Sequence, residues 1–219
     1  QKADFTFYGG IYRDVSLMVV PKDHIALGHF GDTGVKITPA LKDGKADIRV
    51  ETIVEGEGAV SVELQDAAGS IVARAEGADA QLHLDAPHLW DGVKAPYLYT
   101  CVVRLSRDGR VVDEVSTRVG LRTFSVDAKN GFFLNGRPYP LHGVSRHQDR
   151  KGVGNAITRE MHDEDMALIR ELGANTIRLA HYQHDQYFYD LCDQYGMVVW
   201  AEIPYISEHL PNGRENTIS

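Results

Sequence analysis

Polar residues suited to chemistry follow three apolar runs in the second half of the chain. His147 follows the first run, and Arg178 and His181 lie at the end of the second. Glu202 ends the third. Two imidazoles and a carboxylate can bind sugar hydroxyls, transfer protons or hold a metal ion. What they do together depends on whether the fold brings them to one place.

The spacing of apolar residues predicts the elements that carry these side chains. Gly173 and Gly196 follow two helical patterns and suit helix ends, and Thr158 suits the start of the first helix. The sequence therefore predicts strands at Leu141–Val144, Thr176–His181 and Met197–Glu202, with helices over 159–172 and 185–195 between them. This βαβαβ order makes the strands parallel, with their carboxyl ends at a common edge.

A barrel fits this half better than an open nucleotide-binding sheet. The segment after the first strand, 142–147, lacks the G-x-G-x-x-G spacing of a dinucleotide site. Functional residues of a barrel gather at the carboxyl ends of its strands, where Arg146, His147, His181 and Glu202 are found. The segment 128–219 would supply only three of the eight strands, so we expect an incomplete barrel.

The first half has the pattern of an antiparallel β-sandwich. Short alternating runs separated by turn residues extend from Val15 to about Val126. An Asp108-Gly109 pair marks one hairpin turn. The predicted strands are 48–54, 59–64, 71–74, 82–84, 98–105, 111–119 and 120–126, with a domain boundary near Asp127.

Composition excludes several classes of partner. The 219 residues carry a formal net charge of -8, with no basic run, so we expect neither a nucleic-acid nor a membrane surface. No apolar stretch reaches about 18 residues and no leader pattern follows Gln1, so we expect no membrane span and no cleaved signal. Cys101 and Cys192 lie in apolar runs and are predicted to be buried thiols. The compartment, cytoplasmic or periplasmic, stays open.

Each candidate residue also has a purely structural explanation. Arg178 and Glu202 could be an architectural ion pair, because a buried guanidinium needs an anionic partner. Arg178 and His181 differ by three positions and point to opposite faces of a regular strand, so they share a pocket only if the strand ends or bends first. Trp200 is predicted to lie in the core. The aromatic rings that suit a sugar near the mouth are Tyr182, Tyr187 and Tyr205.

Longer motifs resemble the glycoside hydrolases of family 2, the β-galactosidase and β-glucuronidase group. They are 131–136 (GFFLNG), 141–149 (LHGVSRHQD), 173–182 (GANTIRLAHY) and 191–196 (LCDQYG), continuing to Glu202. The segments 10–13 (GIYR), 89–90 (LW) and 96–99 (PYLY) resemble earlier parts of that family, in the right order. The resemblance implies a jelly-roll tail at 1–12, an immunoglobulin-like sandwich at 13–126 and the first β/α units of a (β/α)8 barrel at 127–219.

The resemblance also implies an activity and a set of contacts. His147 and His181 would contact a galactose-like ring, above a supporting floor of Arg178 and Glu202. The segment 180–184 (AHYQH) is closer to β-galactosidase-like members, which implies a retaining exo-β-glycosidase acting on terminal β-galactosides. No Asn-Glu dipeptide occurs here, so both catalytic glutamates are expected beyond Ser219. No cofactor is expected: magnesium would need a His where Pro204 stands.

Two alternatives remain open. One is a non-catalytic module whose sandwich binds a glycan or a partner. The other is a small metallohydrolase using His147, His181 and Glu202, although the H-E-x-x-H signature is absent. In either case the unpaired edge of the third parallel strand invites association, so we expect a homo-oligomer.

Overall fold

The computed structural model describes residues 6, 8–28 and 32–203. Contacts divide the chain into two compact units, one comprising 17–91 with 95–138 and the other comprising 1–16, 92–94 and 139–219. Each unit has its own hydrophobic core. None of the helices in the described ranges is long and apolar enough to cross a membrane.

The first unit is antiparallel throughout. The strands are β1 His24–Ile25, β2 Val35–Lys42, β3 Lys45–Thr52, β4 Val54–Glu55, β5 Ala59–Gln65, β6 Ile71–Glu76, β7 Asp79–Leu84, β8 Tyr99–Arg107, β9 Arg110–Val119, β10 Phe124–Asp127, β11 Gly131–Leu134 and β12 Arg137–Pro138. A four-stranded sheet has the order β6-β5-β8-β9, and a three-stranded sheet has the order β2-β3-β7. In two small sheets, β1 pairs with β4, and β11 lies between β10 and β12.

Alternation along the strands builds the core of this unit. In β3 and β5 every second residue is buried, because successive side chains of a strand point to opposite faces. The buried set of the two strands is Ala46, Ile48, Val50, Thr52, Val60, Val62 and Leu64. Cys101 lies in this core, and its burial raises the pKa of the thiol to about 11. The predicted sandwich is confirmed.

Turn chemistry accounts for the β8–β9 hairpin. Asp108 and Gly109 both have positive φ, 52° and 74°, as the mirror-image two-residue turn requires. Asn135 and Gly136 repeat the arrangement between β11 and β12, at 51° and 74°. The predicted hairpin of strands 98–105 and 111–119 is confirmed, and the observed strand ends differ from the predicted ones by at most two residues.

Several strands differ from the expectation. β2 is among those that were not predicted; it contains Pro39 and lies at the edge of its sheet, where a residue without an N–H is tolerated. The predicted strand 120–126 begins only at Phe124, and it pairs with β11 in a separate sheet rather than in either sandwich sheet. Contacts therefore group 124–138 with the sandwich, whereas the predicted boundary lay near Asp127.

The second unit has the predicted βαβαβ order. The elements are β13 Gly143–Arg146, α1 Arg159–Glu171, β14 Thr176–Leu179, α2 Gln186–Tyr195 and β15 Val198–Ala201. The parallel sheet has the order β13-β14-β15, and the helices α1 and α2 connect successive strands. Among the described residues β15 pairs only with β14, and self-association through this edge stays a prediction.

Capping residues fix both helices where the sequence predicted. The Thr158 hydroxyl accepts a hydrogen bond from the Met161 N–H, and the Asp185 carboxylate accepts one from the Tyr187 N–H. Gly196 ends α2 in the left-handed conformation, with φ 76°. These caps satisfy backbone groups that have no partner within a helix.

Candidate functional site

The two faces of the parallel sheet have different roles. Ile177 and Leu179 of β14 are fully buried, in the core that contains Met166 of α1 and Phe188 of α2. The opposite face carries Ser145, Arg178 and Trp200, which are adjacent in register on the three strands. Trp200 is 67% exposed, so the prediction that it lies in the core is wrong for the described residues.

Arg178 projects from the open face and pairs with Glu202 just beyond β15. Its Nε donates to Glu202 Oε1 at 2.6 Å, and its Nη1 donates to the Ser145 hydroxyl at 3.0 Å. The ion pair predicted between Arg178 and Glu202 is present. Their side chains are 39% and 22% exposed, so the pair faces solvent in part.

His181 reaches the same carboxylate through a sharp turn. β14 ends at Leu179, and the Tyr182 N–H donates to the Ala180 carbonyl at 2.9 Å across His181, whose φ is 67°. This is the γ-turn with a positive central φ, a rare and strained conformation. The turn removes the strand alternation that would have separated Arg178 from His181.

Both the backbone and the ring of His181 contact Glu202. The His181 N–H donates to Glu202 Oε2 at 2.7 Å, and His181 Nδ1 lies 3.1 Å from the same oxygen. Because a carboxylate only accepts, this distance favours the tautomer with the proton on Nδ1, in which a neutral imidazole has its lone pair on Nε2. The predicted residues Arg178, His181 and Glu202 thus form one connected group, which we call the Glu202 cluster.

His147 lies beside the Glu202 cluster. Its ring centroid is 5.5 Å from that of His181 and 6.2 Å from that of Tyr182. The structure therefore brings together all four residues selected from the sequence.

The environment keeps Glu202 ionised. Partial burial alone raises the pKa of this carboxyl, but the His181 N–H and the Arg178 guanidinium outweigh it, so the net pKa lies below its ordinary value. Glu202 is therefore a hydrogen-bond acceptor and a counter-ion at neutral pH. A general acid needs the opposite shift.

Arg146, at the end of β13, does not join this group. It is 6% exposed and points to the helix layer, where its guanidinium bonds to Asp165 of α1 at 2.7 and 3.0 Å. It also donates to His184 Nδ1 at 3.3 Å and to His162 Nδ1 at 3.0 Å. Its expected place at the mouth is wrong, because it follows Ser145 and so occupies the other face of the strand.

The tyrosines selected from the sequence lie partly beside the Glu202 cluster and partly in the helix layer. Tyr182 lies in the loop beside His147, whereas Tyr187 is in α2 and its hydroxyl donates to Asp163 of α1 at 2.8 Å. Tyr187 is thus a helix-to-helix contact. Tyr205 and Pro204 lie outside the described residues.

Sequence reasoning missed two residues that connect the loops, Gln148 and His184. Each is 1% exposed although its side chain is polar. Gln148 follows His147 directly, and His184 follows His181 by three positions. No apolar run or residue spacing in the sequence singles out Gln148 or His184, because their importance lies in contacts between loops that are distant in sequence.

The imidazole of His184 is buried in its neutral form. Burial is the main cause that lowers its pKa to about 4, and the Arg146 cation acts in the same direction. Burial lowers the pKa of His162 as well, again with Arg146 contributing. Two neutral imidazoles thus share one cation.

This burial predicts that the protein loses stability in acid. The unfolded His184 binds a proton near pH 6.5, but the folded residue binds one only near pH 4. The free energy of unfolding therefore has its full value above pH 6.5 and falls as the pH drops to about 4, by about 3 kcal/mol from this group. The measurement is denaturant unfolding from pH 7.5 to 4, comparing wild type with His184→Phe. The stability gap between the two proteins should narrow toward pH 4; curves that stay parallel would contradict the assignment.

The residues do not fit a magnesium ion at Glu202. One carboxylate oxygen accepts from the Arg178 guanidinium, and the other accepts from the His181 N–H and lies 3.1 Å from His181 Nδ1. A cation there would compete with a fixed positive charge. No group of three or more His, Cys, Asp or Glu side chains within residues 6, 8–28 and 32–203 is arranged to hold a metal ion.

Comparison with known proteins places this arrangement in a family. The two units define a multidomain protein in which a β-sandwich precedes the first units of a β/α barrel. Residues 29–122 match the model described as glycosyl hydrolases family 2, and residues 125–218 match that of the family 2 TIM barrel domain. The chain belongs to glycosyl hydrolase family 2, and its immunoglobulin-like sandwich and partial TIM barrel are as predicted.

The curated relatives carry two names, β-glucuronidase and β-galactosidase. A β-glucuronidase of Bacteroides fragilis is 39% identical and aligns with 93% of this chain and 32% of its own length. The β-galactosidase BoGH2A of Bacteroides ovatus is 36% identical, over 88% of this chain and 24% of that protein. The structure of an FMN-binding β-glucuronidase from Facaelibacterium prausnitzii L2-6 matches with a TM-score of 0.88 and 44% identity, covering 94% of this chain and 34% of that one. The chain thus spans about a third of the length of the first two β-glucuronidases.

Proposed function

We propose that this chain is the central part of a retaining exo-acting β-glycosidase. In this proposal His147, Arg178, His181 and Glu202 form the floor of the subsite that holds the terminal sugar. The observation that carries it is the strained turn at His181, which directs both the backbone N–H and Nδ1 of that residue to Glu202. Strain of this kind persists where the surrounding structure and function require it.

The chemistry of these residues suits the hydroxyl groups of a sugar ring. His181 with its lone pair on Nε2 accepts a hydrogen bond from a sugar hydroxyl, and the ionised Glu202 accepts as well. The Arg178 guanidinium neutralises the Glu202 carboxylate. It donates one hydrogen bond to Glu202 and another to the Ser145 hydroxyl, so its own position is fixed as well. The cluster positions a ring without itself supplying a proton.

The catalytic acid and nucleophile would be other carboxyl groups. Glycosidases that retain configuration use two carboxyls about 5 Å apart, one of them an acid with a raised pKa. Glu202 has a lowered pKa and both of its oxygens are engaged, so it suits neither role. We assign both roles to residues of the intact protein outside this chain, and we expect the 219 residues alone to be inactive.

A terminal β-glucuronide is the first substrate to test. Two β-glucuronidases support this choice. One is the Bacteroides fragilis protein, at 39% sequence identity, and the other is the β-glucuronidase of known structure, at 44% sequence identity. A terminal β-galactoside is the second candidate, supported by the segment 180–184 and by the 36% identity to a β-galactosidase.

The experiment uses the intact protein with p-nitrophenyl β-D-glucuronide and β-D-galactoside, and with the α-anomers as controls. NMR of the first-formed sugar should show retention of the β-configuration. Hydrolysis of neither β-glycoside, or an inverted product, would overturn the proposal. Sugar binding that survives His181→Ala without hydrolysis would support the non-catalytic module instead, and stoichiometric zinc would support the metallohydrolase.

A further inference from the structure

Two loops carry the histidines, and three buried or half-buried side chains connect them. His147 and Gln148 follow β13, whereas His181, Tyr182 and His184 follow β14. The last hydrogen bond between β13 and β14 runs from the Ala180 N–H to the Arg146 carbonyl at 3.2 Å, so the sheet does not fix how these loops lie beyond Arg146 and Ala180. Some other contact must set the distance between the two imidazoles.

The first connection runs through Gln148. Its backbone N–H donates to the Tyr182 hydroxyl at 2.8 Å, and its side-chain Oε1 accepts from the Asp185 N–H at 2.6 Å. Asp185 is the N-cap of α2, so Gln148 ties the His147 loop to the start of a helix that is itself packed in the core. Gln148 thus binds the second loop at two points that follow His181 in the chain.

The second connection runs through His184. Its ring stacks on that of Tyr182, with centroids 5.0 Å apart and planes 12° apart. Its Nδ1 accepts from Arg146, so Nε2 bears the hydrogen and donates to the Ala180 carbonyl at 3.2 Å. That carbonyl is also the acceptor that closes the γ-turn at His181. His184 therefore supports the strained turn from its buried side.

We propose that Gln148, Tyr182 and His184, which we call the loop clamp, are positioning residues that hold His147 and His181 at the separation needed to grip one sugar ring. This inference rests on the proposed function. It assigns to the clamp the specific task of keeping the two rings 5.5 Å apart. A displacement of about 1 Å is enough to weaken a positioned contact severely.

The test compares two substitutions in the intact protein that remove the same kind of bond. Tyr182→Phe deletes the hydroxyl that accepts from the Gln148 N–H at 2.8 Å. The control, Tyr99→Phe, deletes a hydroxyl in the sandwich that accepts from the His88 N–H, also at 2.8 Å. We expect Tyr182→Phe to raise KM for the hydrolysed p-nitrophenyl glycoside about tenfold with kcat little changed, because ring binding is lost in ground and transition states alike.

The Tyr99→Phe control should leave KM unchanged. A merely structural role would lower the amount of folded enzyme, and with it the apparent kcat, but not KM. A KM for Tyr182→Phe within twofold of wild type, or a rise equal to that of Tyr99→Phe, would overturn the inference. Gln148→Met should also raise KM. Gln148→Glu keeps the acceptor for the Asp185 N–H, so its KM should be close to that of the wild type.

Crystal structures of wild type and Tyr182→Phe separate this inference from the proposed function. If the wild-type protein hydrolyses neither glycoside, the proposed function fails, and the clamp is then judged by geometry alone. A changed separation of the His147 and His181 rings supports the clamp, and an unchanged separation refutes it.

Discussion

Replacing Glu202 by Gln should lower kcat/KM for the preferred aryl β-glycoside by about 100-fold. The carboxylate accepts from Arg178 Nε on one oxygen and from the His181 N–H on the other, with His181 Nδ1 3.1 Å from that second oxygen. An amide offers one acceptor and one donor, so one of these partners would face an N–H group. Either Arg178 loses its counter-ion or the turn at His181 loses its anchor. The measurement is steady-state kinetics of the intact protein.

Glu114→Gln is the matched control for this substitution. Glu114 lies in the sandwich and accepts from Arg104 Nε at 2.6 Å, the same bond length as between Arg178 and Glu202. Loss of this exposed pair should leave kcat/KM unchanged and cost at most about 1 kcal/mol of stability. A loss of less than threefold in the Glu202→Gln enzyme would show that the cluster does not hold the substrate.

Replacing Arg146 by Met should have the largest effect on stability, about 3–5 kcal/mol of unfolding free energy. The side chain is 5% exposed and its guanidinium lies 3.8 Å from the centre of the Phe188 ring. Burial lowers its pKa, but a guanidinium remains charged in proteins, and here it bonds to Asp165 and two imidazoles. Removing it leaves the two buried imidazoles without the donor to Nδ1 and takes two hydrogen bonds from Asp165. Urea unfolding of the intact protein would measure the loss.

Arg150→Met provides the comparison, because Arg150 also bonds to Asp165. Its Nη2 lies 3.1 Å from Asp165 Oδ1, but its side chain is 29% exposed and the rest of the pairing is to the exposed Glu164. Water can replace much of what is lost, so we expect a cost of about 1 kcal/mol or less. Equal losses for the two variants would mean that burial does not determine the importance of Arg146.

Much of the second unit could be predicted because local signals agree with its fold. Thr158, Gly173 and Gly196 mark the helix ends, and the alternation of strands and helices permits few topologies. Trp200 was misplaced because an apolar run does not show which face of a strand is covered. In the described residues one face of β15 lies open, and the indole lies on it.

The site could be predicted as a set of residues but not as a geometry. The carboxyl ends of parallel strands lie at one edge of a sheet, so His147, His181 and Glu202 were expected there from their positions after the three predicted strands. The turn at His181 depends on the Glu202 carboxylate and on His184, and the loop clamp depends on contacts between residues 34 and 37 positions apart. No local pattern encodes such contacts, which arise only after the strands have paired.

The two-faced construction of β13, β14 and β15 has an evolutionary consequence. Mutations at Ser145, Arg178 or Trp200 alter the open face, while the side chains that join the sheet to its helices, such as Ile177 and Leu179, stay as they are. In the proposed function, substitutions on this open face would change sugar preference while the helix-packed face keeps the architecture. β-Glucuronidases and β-galactosidases both occur among the relatives, at 39% and 36% identity, as such a division between the two faces would allow.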